Sequence, residues 1–310
     1  MSTGDGPTLA VFTKNRMNPA YHGARIAASL VAERFGGRAV HYVPERPDDI
    51  AQQIALIDEA IQTRPAAMVL VPVHLTAVDE AVSRVRSAGI PIFNCINRLR
   101  HEDDYVTFVG AEDAAMTSRV ADKLFAELGG RGKVVTLEGT SGTITARERM
   151  RGFLDAAEHY PDIQVLGCLC GNFLQDGGEA AMRELLAEHP RIDGVLAAND
   201  SMALGAIQAL RKAGRRSLVV GVNAVPEAVQ ALKSGDLLAT ADFDAFKIAA
   251  LAAEAAIRYL RGESVPKEIL TPIDVVESGN CARWDKPMEA RELPDWEHMM
   301  SLIGASRRNA

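Results

Sequence analysis

What the chain lacks narrows its function before anything it contains. Neither Gly-x-x-x-x-Gly-Lys-Ser/Thr nor Gly-x-Gly-x-x-Gly occurs, so the glycine loops that cradle nucleotide phosphates are missing, and no nucleophile elbow or zinc-binding His/Cys spacing is present either. The seven histidines are scattered, with His22 and His41 on or beside elements of the first half, and none stands in a recognisable arrangement with Ser or Cys. No catalytic residue, metal site or cofactor is therefore expected. Basic charge is also short: 34 Lys and Arg against 41 Asp and Glu leave a formal charge of -7, which argues against a nucleic-acid partner because phosphate binding needs a basic face. No apolar run approaches bilayer length, and the first six residues have neither the basic nor the apolar region of a signal peptide. Of only four cysteines, Cys168 and Cys170 alternate on one strand face, too far apart for an unstrained bridge and without His at metal spacing; they read as buried free thiols.

What is present is a strict alternation of short apolar runs and helical stripes. The 310 residues are too many for one core, so two lobes are expected. Strands are predicted at 8–13, 38–43, 67–73 and 90–93, with helices over 20–35, 50–61 and 76–88, the last ended by Gly89. A second set of the same kind follows a strand at 105–109: a helix over 111–128, strands at 133–137, 165–169, 195–198, 217–222 and 237–241, and an Ala-rich helix over about 243–260. The last strand is expected at 269–276, with an irregular tail after Gly279 in which Trp284 and Trp296 cover lobe surface. Strand, helix, strand with short connections implies right-handed crossovers and parallel sheets, whose ligands sit at the carboxyl ends of the strands.

The polar residues at those strand ends are the candidate site. They are Asn18 and Tyr21, Asn97 and Arg98, Arg147 after the turn Gly139-Thr-Ser-Gly142, Phe173, Asn199, Asn223, and Asp242 with Phe243. Amides, guanidinium forks and aromatic faces suit a polyhydroxylated ligand, through hydrogen bonds to neighbouring hydroxyls and flat contact with C–H faces. In the stretch running from Val195 through Asn199 and Asp200 to Ala206, Asp200 reads as the helix N-cap, which leaves Asn199 to point across the sheet edge. Arg147 reads as a fork able to hold two ligand oxygens.

Asn18-Pro19, Ala88-Gly-Ile-Pro91, Gly139-Thr-Ser-Gly142 with Ala146-Arg-Glu-Arg149 and Gly152-Phe153, and Ala198-Asn-Asp-Ser-Met-Ala-Leu-Gly205 together resemble the ribose and galactose type of periplasmic solute-binding protein. The resemblance implies two Rossmann-like lobes joined by three hinge crossovers near 109–111, 241–243 and 270–272, the type I periplasmic binding architecture. It implies an N-terminal lobe of 1–110 plus 243–271, a C-terminal lobe of 111–242 plus 272–310, and a ligand cleft between them that closes by hinge motion. Carried over by position, the sugar contacts fall on Asn18, Tyr21, Asn97, Arg98, Arg147, Phe173, Asn199, Asn223 and Phe243. Asn97 and Asn223 stand where the family has carboxylates, Phe243 where it has a glutamine and Ala20 where it has an aromatic. The loops 14–18 and 93–98 are one residue longer, which adds Asn15, Arg16 and Asn94 as further candidates.

Those replacements leave Arg98 and Arg147 without two carboxylate partners, with Lys14 and Arg16 adding positive charge at the rim and Asp242 the one obvious acid nearby. A sugar acid therefore stands beside a neutral sugar or polyol as the expected ligand. The partners implied are that ligand and the membrane permease of an ABC importer. A monomer in the periplasm is expected, on the reading that a signal peptide precedes this chain. The same body also serves as the effector-binding core of lactose-repressor type regulators, and as a sensor presenting sugar to a membrane receptor. A regulator would carry an N-terminal helix-turn-helix, for which the strand starting near Thr8 leaves no room in this sequence.

Overall fold

The computed structural model describes residues 6–287 and 290–306, with side chains up to residue 303. The chain divides into two compact units. Met1–Ala111, Asp244–Pro272 and Met288–Ala310 make the first, Glu112–Phe243 and Ile273–Pro287 the second.

The first unit is built on a six-stranded sheet. Its strands are β1 (Thr8–Phe12), β2 (Arg38–Tyr42), β3 (Ala67–Leu70), β4 (Ile92–Cys95), β5 (Thr107–Gly110) and β11 (Glu268–Leu270), in the order β11-β5-β4-β3-β1-β2 and parallel throughout. Its helices are α1 (Pro19–Arg34), α2 (Ile50–Gln62), α3 (Asp79–Ser87), α9 (Ala245–Leu260) and α10 (Trp296–Ser306). β3, β4 and β5 are buried at every residue, as parallel strands covered on both faces must be. α9 is an Ala-rich helix buried over nearly its whole length, and its small side chains let it pack against α1. Successive strands lie on opposite sides of β1. The sheet therefore has a switch point between β1 and β3, where the carboxyl ends of the strands leave an open edge.

The second unit repeats the plan. It holds α4 (Asp113–Glu127), β6 (Arg131–Glu138), α5 (Ile144–Ala157), β7 (Asp162–Cys170), α6 (Gln175–Glu188), β8 (Gly194–Ala197), α7 (Asp200–Lys212), β9 (Leu218–Val222), α8 (Pro226–Ser234), β10 (Ala239–Ala241) and β12 (Val275–Val276). The order is β12-β10-β9-β8-β6-β7, with β12 antiparallel to β10 and the switch point between β6 and β8.

Three features depart from the sequence reading. The strand expected at 269–276 is two strands: β11 pairs with β5 in the first unit and β12 with β10 in the second, because Pro272 has no N–H for a ladder and the chain changes unit there. The tail is not all irregular. α10 lies in the first unit rather than the second, held by Arg258 of α9, whose guanidinium stacks 4.9 Å over the Trp296 ring and pairs with Glu297 at 3.3 Å. Finally, Cys168 and Cys170 are exposed, since β7 is the outermost strand and is paired along one edge only.

Candidate functional site

In the first unit the loops after β1 and β4 form one polar network. Lys14 is buried, its ammonium 3.1 Å from Oδ1 of Asp48 and donating to Oδ1 of Asn97 at 3.4 Å. Oδ1 of Asn15 accepts the Asn18 N–H at 2.9 Å, and the Asn15 amide donates to Asp48 at 3.5 Å. Asn18 is the N-cap of α1: its Oδ1 accepts the Ala20 N–H at 2.9 Å and Pro19 follows at the first helical position, where a missing N–H costs nothing. Tyr21 is buried on that first turn, and Arg16 is exposed. Asn94 is fully committed within the loop, donating to the carbonyls of Leu70 (3.1 Å) and Asn97 (2.8 Å) and accepting the Leu99 N–H (2.9 Å). These bonds fix the shape of the turn. Arg98 also differs from expectation. Its guanidinium pairs with Glu268 of β11, reaches Tyr105 Oη at 3.4 Å and stacks 3.9 Å over the Phe108 ring, so a carboxylate brought by β11 replaces the one that position 97 lacks.

In the second unit the organising side chain is Arg149. It is 3% exposed and donates to Asp113 of α4 at 2.8 Å, to the Ala198 carbonyl at 2.7 Å and to Oδ1 of Asn223 at 3.3 Å. The Phe243 ring lies 4.9 Å from its guanidinium carbon and the Phe173 ring 6.0 Å. Helix α5 starts at the cap Thr143, and its buried face is Ala146, Arg149, Gly152, Phe153 and Ala156. Arg147 lies off that face. Its side chain is 69% exposed and pairs with Glu148 at 3.2 Å, whereas the buried guanidinium of this helix is Arg149, two residues later. Helical periodicity carries the signal for this, since Arg149 shares a face with Gly152 and Phe153 and Arg147 does not. Gly152 sets the height of that face, because a Cβ there would come within 2.0 Å of the Ala114 carbonyl of α4, the helix that also brings Asp113.

The capping roles at the end of β8 are the reverse of those expected. Asn199 is the N-cap of α7, Oδ1 accepting the Met202 N–H at 2.9 Å while Nδ2 donates to the Phe173 carbonyl at 2.9 Å. Asp200 is wholly buried and turns inward, accepting from Thr240 Oγ1 at 2.6 Å and from the Val225 N–H at 3.0 Å. Burial pushes its carboxyl up to about 6, against the hydrogen bonds from Thr240 and Val225 and the field of Arg149. The Phe173 ring rests on Gly139, where a Cβ would meet it at 2.0 Å. Asp242 is buried at the end of β10, its N–H donating to the Asp274 carbonyl at 2.8 Å.

Asp48, Asp113 and Arg149 are thus members of these two networks that strand-end reasoning did not name as candidates, and Lys14, expected only at the rim, is buried in the first. One Ser–His contact also exists: Ser29 Oγ lies 2.8 Å from Nε2 of His41. Burial, then Arg25, pushes that imidazole down to about 4, and its buried Nδ1 has no hydrogen-bond partner among the described residues, so nothing orients it as a base. Burial pushes the Cys95 thiol up to about 12, far from a reactive thiolate.

The periplasmic binding protein domain family matches residues 9–264. The D-ribose/D-allose-binding protein of Pseudomonas aeruginosa is 31% identical over 289 residues, covering 88% of this chain and 90% of its own. Among solved structures, an ABC transporter periplasmic solute-binding protein from Actinobacillus succinogenes with bound D-allose is similar at a TM-score of 0.85 and 27% identity, covering 89% of this chain and 99% of that one. An ABC transporter solute-binding protein from Mycobacterium smegmatis with bound glycerol has a TM-score of 0.85 and 28% identity, covering 93% and 100%. With two parallel α/β units, each opening a polar strand edge at its switch point, and a match over most of its length, the chain belongs to the periplasmic binding protein domain family.

Proposed function

We propose that this chain is the solute-binding protein of an ABC importer, that it takes up a small neutral sugar or polyol in the periplasm, and that it performs no chemistry on it. The observation that carries the neutral reading is charge balance. Every arginine or lysine singled out for a site role except exposed Arg16 has a carboxylate partner: Lys14 has Asp48, Arg98 has Glu268, Arg149 has Asp113, and Arg147 shares Glu148 with Arg151. The argument for a sugar acid rested on unpaired guanidinium groups, and the two it rested on are paired. The side chains we assign to ligand binding are amides, aromatic faces and one paired guanidinium: Asn18, Asn97 and Tyr21 from the first unit, and Arg149, Asn199, Asn223, Phe173 and Phe243 from the second. A membrane permease and a monomeric state belong to the same reading. The relatives support a solute-binding role over the regulator, because one is a D-ribose/D-allose-binding protein and two are ABC transporter solute-binding proteins with bound D-allose and glycerol.

The test is a thermal-shift panel of pentoses, hexoses, polyols and their matching acids, at low and high salt. One neutral compound is expected to raise the melting temperature, since a ligand at about a hundred times its dissociation constant adds about 2.7 kcal/mol. Preference for an acid, weakened by salt, would overturn the neutral reading. Turnover of the compound by the pure protein would overturn the binding role itself.

A further inference from the structure

At the end of β8 three consecutive residues each hold a different element. The Ala198 carbonyl accepts from Arg149 of α5, the Asn199 amide donates to the Phe173 carbonyl after β7, and the Asp200 carboxylate accepts the Val225 N–H after β9. Both loops held this way have unfavourable backbones. Asn172 and Phe173 have φ of 54° and 59°, while Asn223 and Ala224 have φ of 123° and 50°, all in the left-handed region that favours glycine. Such conformations persist only where the surroundings over-determine them. For the second loop the surroundings are Asp200 and Thr240. Thr240 Oγ1 accepts the Ala224 N–H at 3.3 Å and donates to Asp200 at 2.6 Å. Helix α8, which starts at Pro226, has no side-chain cap of its own at Val225, and the Val225 N–H goes to Asp200 instead. The space is cut to fit the carboxylate, since a Cβ at Gly221 would lie 2.3 Å from Asp200 Oδ1.

We infer that Asp200 is a positioning residue for ligand binding: its carboxylate holds the turn that carries Asn223 against Arg149, and protonating it loosens that turn. The inference rests on the function proposed above. Asp200 touches no ligand. It acts through Asn223, whose Oδ1 is one of the three acceptors that fix Arg149. A protonated carboxyl is a weaker acceptor toward the Val225 N–H and becomes a donor competing with the Thr240 hydroxyl. The charged groups of the surrounding elements are Arg149 on α5, whose field favours the ionised form, Asp113 on α4, which is paired with Arg149, Asp242 at the end of β10, and exposed Glu227 on α8. Burial of Asp200 outweighs that field and brings its titration to about 6, within the range a mildly acidic solution reaches.

The test uses the whole chain, with amide hydrogen exchange by NMR and calorimetry with D-allose and D-ribose as probes. In Asp200→Asn the Val225 amide is expected to exchange at least about tenfold faster, while the Ala203 amide on α7 keeps its wild-type rate. Probe affinity is expected to fall about tenfold in that variant and to lose its pH dependence, whereas wild-type affinity falls several-fold between about pH 7.5 and pH 5. Thr240→Val removes a donor to the carboxylate and keeps the charge, so it is expected to move the wild-type pH midpoint upward; this variant and the wild-type profile decide the matter should Asp200→Asn not fold. Wild-type exchange at Val225 in Asp200→Asn, or an unmoved midpoint in Thr240→Val, overturns the inference. If the wild-type chain binds neither probe nor glycerol, the function proposed above fails, and the Val225 exchange rate and amide-shift midpoint still decide whether Asp200 holds the turn.

Discussion

The two arginines of α5 offer the sharpest test, because they are two residues apart and the structure gives them opposite roles. Removing Arg149 takes three hydrogen bonds at once and leaves Asp113, whose side chain is 12% exposed, without its partner at 2.8 Å. Breaking a buried pair by deleting one member costs roughly 3 to 5 kcal/mol. At about 2 to 4 °C per kcal/mol for a domain of about this size, Arg149→Met is expected to lower the melting temperature by roughly 10 °C. Adding Asp113→Asn in the same chain removes the stranded charge and is expected to recover part of that loss. Arg147→Ala removes an exposed pair with Glu148 and is expected to change stability by less than about 0.5 kcal/mol. On the proposed function binding separates them further, since losing a charged donor to the ligand costs roughly 1.5 to 3 kcal/mol, about tenfold or more in affinity, which is expected for Arg149→Met and not for Arg147→Ala. The assay is differential scanning calorimetry on all four chains, followed by titration with the compound found in the panel. Normal melting of Arg149→Met, or a tenfold loss of affinity in Arg147→Ala, would refute the assignment.

Two further expectations follow from burial. Cys168 and Cys170 are exposed and Cys95 and Cys281 buried, so a maleimide is expected to label the first pair in the native protein and the second only after denaturation; native labelling of Cys95 would show that β4 is not where the fold puts it. Asp200 also links pH to folding. Its folded titration point is raised to about 6, so its contribution to stability is fully present below the unfolded value near 3.8 and is lost as pH rises through about 6. Wild type is therefore expected to gain about 2 kcal/mol relative to Asp200→Asn as pH falls from about 6 to 4 in urea unfolding, while its affinity for ligand moves the other way. A difference that is flat over that window would remove the shift.

The alternation of strands and helices was legible because strands buried on both faces, such as β3 with Ala67–Leu70, read as unbroken apolar runs, and glycines such as Gly89 mark helix ends. Two parts of the fold were not legible for identifiable reasons. Residues 269–276 are apolar enough for one strand, and only the pairing of Ile269 with Val109 and of Val275 with Ala241 shows that they are two. The exposure of Cys168 and Cys170 depends on β7 being the edge strand, and strand order is a long-range property that a local run of residues does not encode.

The site divides along the same line. That Asn18, Phe173, Asn199, Asn223 and Phe243 stand at strand ends follows from sequence position alone, but which atoms they commit depends on partners far along the chain. Local capping preference cannot choose between adjacent Asn and Asp, since both cap well. The choice at Asn199 and Asp200 is made by Thr240, forty residues on, and by Val225, twenty-five on; they offer an O–H and an N–H that only an inward carboxylate satisfies, which leaves the cap to Asn199. The charge of the ligand turns on the same kind of information. Asn97 and Asn223 do remove carboxylates from two strand ends, yet Glu268 returns one to Arg98 across 170 residues and Asp113 supplies one to Arg149 across 36. A substitution that makes a site less acidic at one strand end therefore says little about ligand charge until the neighbouring strand and helix are known, and here those neighbours give Arg98 and Arg149 a carboxylate each, as the proposed neutral ligand requires.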